Sequence, residues 1–314
     1  MKLRNMPLEL PETGWLIMER KREQKLVSID DALLHIENDS FLAIGGFMIH
    51  NHPMGIIREI VKENRRNLKI LPTPPGGSID ADLLIGCGCA ASVVASYIGA
   101  EWLEPIMPNY RRKVEEGELE VLEYDEHTII CGLRASAEKL PCGITRAGLG
   151  TDLLKVNPHL KIFNNPVTGQ PLVAVPPIEP DVAIIHAQRS DPYGNVQHAG
   201  SVFMDLLLAA ASKKVIVSVD EVVPLELTRH DPFKTTLPCH LVTAVVHMPY
   251  GAHPCSSHGF YGYDEQHIRD YVGFAKRGDG YQEYLSKYIY NVGSLYQYLE
   301  LVGGIRRLSE LKAC

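Results

Sequence analysis

The sequence predicts an α/β fold: an open, mainly parallel sheet with helices on both faces, followed by a helical C-terminal extension. Between residues 28 and 223, short runs rich in Val, Ile and Leu alternate with helical stretches. This alternation is typical of a parallel sheet that is covered on both faces. After residue 264 the chain becomes tyrosine-rich and helical. We therefore expect an N-terminal extension (1–27), an α/β domain (28–263) and a helical extension (264–314).

The first half of the α/β domain contains four predicted strands joined by helices. Ser28 is a suitable N-cap for the first helix, since acidic residues follow it in the first turn. Apolar or alternating runs predict strands at 41–44, 68–71, 92–98 and 119–124. Apolar residues at helical spacing predict helices at 30–36, 54–64, 79–85, 108–116 and 127–140.

The second half of the domain is less regular. We expect a looped stretch from 148 to 171 and then a strong strand at 181–186. A buried helix at 203–213 leads into a further strand at 215–219. After that strand the strand signal fades. The helical extension is expected to pack on the sheet or on a partner.

Composition excludes several classes of protein. The 314 residues carry a formal charge of −7 and a pI near 6.0, whereas a nucleic-acid-binding protein would show a basic surface. The 45% hydrophobic and 22% charged content is that of a globular chain and not of a disordered one. The start lacks a signal-peptide core, and no apolar run is long enough for a membrane helix. The seven cysteines fit a cytoplasmic protein with reduced thiols. We also expect no nucleic-acid or membrane partner.

The first candidate for chemistry is the loop after the strand at 41–44. Gly45, Gly46 and Phe47 follow that strand directly, and His50 and Asn51 precede the next helix. Ligands of open α/β sheets bind at the carboxyl ends of strands. Two glycines there allow backbone N–H groups to approach an anion or an acyl oxygen. A plain strand-to-helix turn is the alternative interpretation.

A second polar segment follows the strand at 181–186. It contains Gln188, Arg189, Asp191 and Asn195 within eight residues. Its position at the carboxyl end of a strand favours a role in lining a site, and Arg189 is a candidate partner for an acid substrate or for phosphates. Good turn chemistry is the alternative for the stretch from Asp191 to Asn195.

Glu101 is a third candidate, because it follows the strand at 92–98 and lies beside Trp102. A carboxylate next to an indole near the end of a sheet has the setting of a base or a nucleophile. Most surface glutamates have no such role, so an ordinary surface position is the alternative.

Dinucleotide and metal sites are not expected. The run from Gly86 to Ala91 matches a GxGxxA pattern, but it follows a helix and precedes a strand, which reverses the required order. The Cys87–Cys89 pair has no second pair at zinc spacing, and His50 and His52 lack an obvious acidic cluster to complete a site.

Several motifs occur in one order between residues 28 and 275. They are Gly45-Gly46-Phe47 with Pro53 after five residues, Asp80 to Gly86, Gly117 to Val121, Thr145 to Asp152, His186 to Asn195, Val219 to Val223, and Gly251 to Pro254 with Tyr261 and Tyr263. In this combination they resemble the α subunit of family I coenzyme A transferases, in particular the glutaconate CoA-transferase type. The chain departs from the broader family at Asn51, where a glycine is frequent.

The resemblance implies an open α/β fold of the CoA-transferase α-subunit type and a covalent mechanism. In the family a glutamate attacks the acyl-CoA thioester and becomes a glutamyl-CoA thioester, which an acceptor carboxylic acid resolves. That glutamate lies in a Ser-Glu-Asn-Gly run of the β subunit, and no such run occurs in this chain. The resemblance thus implies coenzyme A as part of the substrate, a separate β subunit, and an α2β2 or larger hetero-oligomer. The loop at 45–47 would contribute oxyanion contacts from this side.

Two alternatives remain open. A similar branch hydrolyses a ring carbon–carbon bond in a steroid-derived CoA thioester and relies on an α-subunit glutamate. Glu101 in Gly99-Ala100-Glu101 lies at the comparable place, whereas in a transferase it would line the acyl pocket. The second alternative is a non-catalytic partner subunit that binds acyl-CoA.

Overall fold

The computed structural model describes residues 22–74, 76–278 and 280–312. Most of the predicted N-terminal extension therefore lies outside the described residues. Within them, the strands are β1 (Phe41–Ile44), β2 (Leu68–Pro72), β3 (Ala90–Ala95), β4 (Glu120–Glu123), β5 (Gly143–Thr145), β6 (Lys161–Asn164), β7 (Pro171–Val175), β8 (Val182–Ser190), β9 (Val196–Gln197), β10 (Lys214–Val222) and β11 (Ala244–His247).

Helices separate most of these strands. They are α1 (Ile29–Leu33), α2 (Met54–Lys62), α3 (Ile79–Gly86), α4 (Pro108–Glu115), α5 (Glu126–Ala137), α6 (Leu153–Val156), α7 (Asp205–Ala211), α8 (Leu225–His230), α9 (Glu265–Lys276), α10 (Gly280–Leu285), α11 (Leu295–Leu301) and α12 (Gly304–Glu310). A 3₁₀ turn at Pro232–Lys234 and a π-helical turn at Ser286–Tyr290 complete the set that the structure describes.

The predicted open, mainly parallel sheet is confirmed. In the described part of the chain it runs in the order β11-β10-β8-β1-β2-β3-β4, and each neighbouring pair is parallel. The two-residue strand β9 pairs antiparallel with the end of β8. Because the strands are parallel, the loops after β1, β8, β10 and β11 all leave the sheet at the same edge.

The two faces of the sheet are buried by different layers. Apolar side chains of α2 and α3 cover one face, including Ile57 and Leu84. Helices α5 and α7 and strand β7 cover the other face, with Leu133 and Leu208 fully buried there. Burial of both faces explains why β1 and β8 are almost purely apolar runs.

The helical extension packs mainly on other helices. The hydroxyl of Tyr271 in α9 donates to Asp82 of α3 at 2.7 Å, and that of Tyr281 donates to the carbonyl of Leu83 at 3.1 Å. Arg58 of α2 lies 3.7 Å from the ring centre of Tyr298. These contacts of the extension are thus with helices α2 and α3, and its expected packing on the sheet or on a partner stays a prediction.

Several predicted boundaries were wrong. The expected loop at 148–171 contains α6 and β6, and β6 joins β5 and β7 in an antiparallel three-stranded sheet within the described residues. Residues of β6 are mostly exposed, so the strand lacks the alternation that would reveal it. Strands also continue beyond 219, since β11 pairs with β10. β3 ends at Ala95 because the chain turns away there, and Ile98 forms a bridge with Gly77.

Candidate active site

The loop after β1 is folded tightly on itself. Gly46 has φ +98°, and a Cβ there would lie 2.7 Å from the carbonyl oxygen of His50. A Cβ on Gly45 would lie 2.6 Å from Oδ1 of Asp205. Larger residues would therefore collide with the backbone of the same loop or with the start of α7. We call residues 45–52 the glycine loop.

The amide groups of the glycine loop donate within the chain. Gly45 donates to the carbonyl of Ile184 at 2.8 Å, Gly46 to Oδ1 of Asp205 at 2.9 Å, and Phe47 to the carbonyl of His50 at 2.8 Å. In this conformation these three N–H groups hold the loop in place. An acyl oxygen at this position would have to displace one of these bonds.

Asp205 anchors the glycine loop from below. It is buried at the start of α7, and its second oxygen accepts a hydrogen bond from Nε2 of His198 at 3.1 Å. The other ring nitrogen of His198 lies 2.7 Å from Oγ1 of Thr236. The Thr236 hydroxyl lies within hydrogen-bond distance of both Nδ1 of His198 and the carbonyl of Val196. The side chains of Asp205, His198 and Thr236 therefore all have hydrogen-bond partners.

Two of the predicted site residues are in direct contact. The side-chain Nε2 of Gln188 donates to Oδ1 of Asn51 at 2.9 Å and to Oγ of Ser257 at 2.9 Å. The Gln188 oxygen accepts from the amide of Ala199 at 2.8 Å. Asn51 is buried with φ +55°, a conformation that asparagine tolerates better than most residues. The ends of β1 and β8 are thereby tied together at the predicted edge.

Asp220 of β10 extends this network. It accepts hydrogen bonds from Ser257 at 2.6 Å, from the amide of Tyr250 at 2.8 Å and from Nε2 of His186 at 3.2 Å. The hydroxyl of Tyr261 also donates to it at 3.3 Å. Burial, together with the nearby carboxylate, raises the pKa of Tyr261 well above its usual range, so that the hydroxyl remains a donor.

His50 and Arg189 lie at the more open rim of this region. His50 is half-buried and its Nδ1 lies 2.5 Å from Oγ of Ser256. Burial, and then the neighbouring His52 and His258, lower the pKa of His50. Arg189 is exposed and forms an ion pair with Glu221 at 2.7 Å. Both side chains are accessible to a ligand from solvent or from another protein chain.

Asp191 and Asn195 form a hydrogen-bonded turn after β8. Asp191 is fully buried and accepts from the amides of Tyr193 and Asn195 at 2.9 and 3.1 Å. Its other oxygen accepts from the Asn195 side chain at 2.7 Å and from Thr228 at 2.6 Å. The first three bonds stabilise the chain reversal after β8, as expected of good turn chemistry, and the bond from Thr228 ties this turn to α8.

Glu101 occupies an exposed turn after β3. It is exposed, has φ +50°, and occupies a turn in which the amide of Ala100 donates to the carbonyl of Glu104 at 2.7 Å. Its parent strand β3 is separated from β1 by β2, which corresponds to about 10 Å across the sheet. Glu101 itself lies six residues beyond the end of β3, and within the described residues it makes no hydrogen bond or ion pair with the glycine loop.

A buried ion pair beneath the glycine loop was missed by sequence reasoning. Nδ1 of His52 lies 3.0 Å from Oδ2 of Asp80, and Nε2 of His52 lies 2.7 Å from the carbonyl of Met48. Burial disfavours the imidazolium, yet the Asp80 carboxylate raises the pKa of His52, and His52 lowers that of Asp80. Buried acidic partners for the glycine loop were indicated in the sequence only by Asp80 in α3 and Asp205 in α7. Each is an acidic residue near the start of a largely apolar helix.

Comparison with known proteins identifies the family. The family model described as "Coenzyme A transferase" matches residues 26–248. The chain belongs to the coenzyme A transferase family. It is 34% identical over 270 residues to one subunit of the 3-oxoadipate CoA-transferase of Pseudomonas knackmussii, covering 84% of this chain and 93% of that relative. It is 29% identical over 281 residues to the cholesterol ring-cleaving hydrolase IpdA subunit of Rhodococcus jostii, covering 87% of this chain and 94% of that relative.

Solved structures agree with this assignment. The crystal structure of glutaconate coenzyme A-transferase from Acidaminococcus fermentans matches with a TM-score of 0.88 and 29% identity, over 92% of this chain and 96% of that one. The expected fold and the expected enzyme class, CoA-transferase, are thereby confirmed. Among the described residues of the transferase, no group of His, Cys, Asp and Glu is arranged to hold a metal ion. No helix in that part of the chain is long and apolar enough to cross a membrane.

Proposed function

We propose that this chain is the α subunit of a heteromeric CoA-transferase that moves CoA between an acyl-CoA and a carboxylic acid. The observation that carries the proposal is the glycine loop, fixed by Asp205 at the carboxyl edge of the sheet, in a chain without a Ser-Glu-Asn-Gly run. Relatives that are each named as one subunit of a transferase match over more than nine-tenths of their length, which supports a different chain as partner. An α2β2 or larger assembly follows from the family resemblance.

The proposed reaction uses a glutamate of the partner as nucleophile. Its carboxylate attacks the thioester carbonyl and expels CoA thiolate, which leaves a mixed anhydride. The thiolate attacks the glutamyl carbonyl, releases the donor acid and forms the glutamyl-CoA thioester. The acceptor carboxylate then reverses both steps and leaves with CoA. One glutamate oxygen departs with the donor acid and is replaced by an oxygen of the acceptor.

In this reaction the present chain supplies a rigid wall of the site. Phe47 and Phe203 stack with ring centres 4.3 Å apart, which closes one side of the glycine loop. Asn51 and Gln188 hold the other side through their mutual hydrogen bond. His50 and Arg189 are the polar side chains that remain open to an acyl-CoA or an acid at the rim.

The test combines this chain with its co-expressed partner. The complex is incubated with butyryl-CoA or glutaryl-CoA and with [18O]acetate, and the products are analysed by mass spectrometry. We expect acetyl-CoA, 18O in the released donor acid over repeated turnovers, and a trappable glutamyl thioester on the partner and not on this chain. CoA binding without any turnover would instead identify a non-catalytic acyl-CoA-binding subunit.

Hydrolysis is the second candidate function, and one observation favours it. The R. jostii relative is named a ring-cleaving hydrolase, and Glu101 of this chain makes no hydrogen bond or ion pair with the residues that the structure describes. An exposed carboxylate in such a turn is available to a substrate. Loss of CoA, or a ring-opened product, formed without an acceptor acid, abolished by Glu101→Gln and retained in the neighbouring Glu104→Gln control, would establish this function in place of transfer.

A further inference from the structure

Strand β2 carries a lysine where a parallel sheet normally carries an apolar residue. Lys69 is its second residue and pairs in register with Phe41 of β1 and with Ser92 of β3. The other four residues of β2 are buried. Strands in the middle of parallel sheets are buried on both faces, and lysine is among the residues least often found there. Its presence therefore requires an explanation.

The charge of Lys69 is not neutralised by the described part of the chain. Its ammonium lies 4.7 Å from the ring centre of Phe41 and forms no ion pair with any described residue. Asp181, a nearby carboxylate, accepts instead from the amide of Phe41 at 2.9 Å and from Lys213 at 2.8 Å. A cation on a sheet face that contacts an aromatic ring and forms no ion pair can accept an anionic partner.

A cavity of about 340 Å³ lies next to this lysine. Its walls are mainly apolar, with Phe41, Tyr124 and the run from Pro176 to Ile178, and its polar groups are Lys69, His159 and Glu179. That volume is within the range of small-molecule sites, which typically combine apolar walls with a few polar groups. The rim is fixed, since the amide of Ile178 donates to the carbonyl of Gly132 in α5 at 3.1 Å. A preformed pocket loses little entropy on binding.

We propose that this pocket binds a small carboxylic acid with an aromatic or apolar body, whose carboxylate pairs with Lys69. The pocket begins at the amino ends of β1 and β2, whereas the glycine loop follows the carboxyl end of β1. Phe41 precedes Ile44 by three residues, or about 10 Å along the strand. The apolar body lies against Tyr124 and the proline rim, and Glu179 disfavours acids with a second carboxylate on that side. This inference does not depend on the reaction proposed above.

The test measures benzoate binding to the full chain in complex with its co-purified partner. Isothermal titration and saturation-transfer NMR compare benzoate with benzamide, its uncharged analogue. We expect millimolar or tighter binding of benzoate, and no binding of benzamide. Lys69→Met should weaken benzoate binding about tenfold or more, whereas Lys69→Arg should retain it. The exposed Lys161→Met is the matched control and should change nothing.

A second measurement separates this pocket from any acid-binding site at the glycine loop. In protein with 13C-methylated lysines, the Lys69 signal should shift on addition of benzoate, and CoA-transfer turnover should be equal in Lys69→Met and wild type. Benzoate affinity that is unchanged in Lys69→Met would overturn the proposal. So would the absence of binding to the assembled complex, or a Lys69 signal that does not respond.

Discussion

Replacing Asp205 by alanine removes the acceptor of two hydrogen bonds, one from the Gly46 amide of the glycine loop and one from the ring of His198. Oδ1 of Asp205 accepts from the Gly46 amide at 2.9 Å, and Oδ2 accepts from Nε2 of His198 at 3.1 Å. Asp205 is 1% exposed, so water cannot replace the lost oxygens without a structural change. The variant therefore tests whether this carboxylate holds the loop.

The expected cost follows from the two orphaned donors. A buried donor left without a partner costs about 1–3 kcal/mol, so two cost about 2–6 kcal/mol of the free energy of unfolding. Asp205→Asn is the matched control. The side-chain oxygen of the asparagine can still accept from the Gly46 amide. Its side-chain NH2 group can donate to Nε2 of His198 in the tautomer that carries the ring proton on Nδ1, the nitrogen that faces Thr236. We therefore expect asparagine to cost about 1 kcal/mol.

Urea unfolding of both variants, with CoA transfer by the reconstituted complex, provides the measurement. Loop displacement in Asp205→Ala should also lower the turnover rate about 100-fold, since misplacement by about 1 Å has effects of that size. The reasoning is refuted if alanine and asparagine destabilise the chain equally, or if alanine costs less than about 1 kcal/mol. In either case the hydrogen bonds of Asp205 would not be what fixes the loop.

Three further predictions concern other parts of the chain. Gly46→Ala should cost about 1–3 kcal/mol of stability and abolish transfer, whereas Gly117→Ala, with φ +73° and open space around it, should keep activity. Burial opposes ionisation of Asp264, but hydrogen bonds from His253 and Arg307 hold its pKa below the usual range, so its contribution is present above about pH 4 and lost as pH falls. Arg307→Met should therefore raise the midpoint of acid unfolding. Burial raises the pKa of Cys87 to about 12, and native protein should not be labelled there by a disulfide reagent near pH 8, which peptide mapping would reveal.

Much of the sheet could be predicted from local pattern. The runs at β1, β2, β8 and β10 are largely apolar, since both faces of a parallel sheet are covered. Strands β5, β6, β7, β9 and β11 escaped prediction. β6 is mostly exposed and β11 has four residues at the edge of the sheet, so neither carries a periodic signal.

Only part of the candidate site could be predicted from local sequence pattern. Gly45, Gly46 and Asn51 were expected because they follow β1, and Gln188 because it follows the predicted strand 181–186, which in the structure continues to Ser190. Asp205 was not expected, since it lies about 160 residues from Gly46 along the chain and contacts the loop only after α7 packs.

The sequence by itself determined most of the main-sheet strands, the glycine loop and the family of this transferase, because strand runs, turn residues and ordered motifs are local properties of the chain. The tertiary structure alone decided the order of the strands, the partners of the loop amides and the cavity beside Lys69. Those features depend on which distant segments meet, and each contact between distant segments is set by the packing of the whole sheet and its two covering layers.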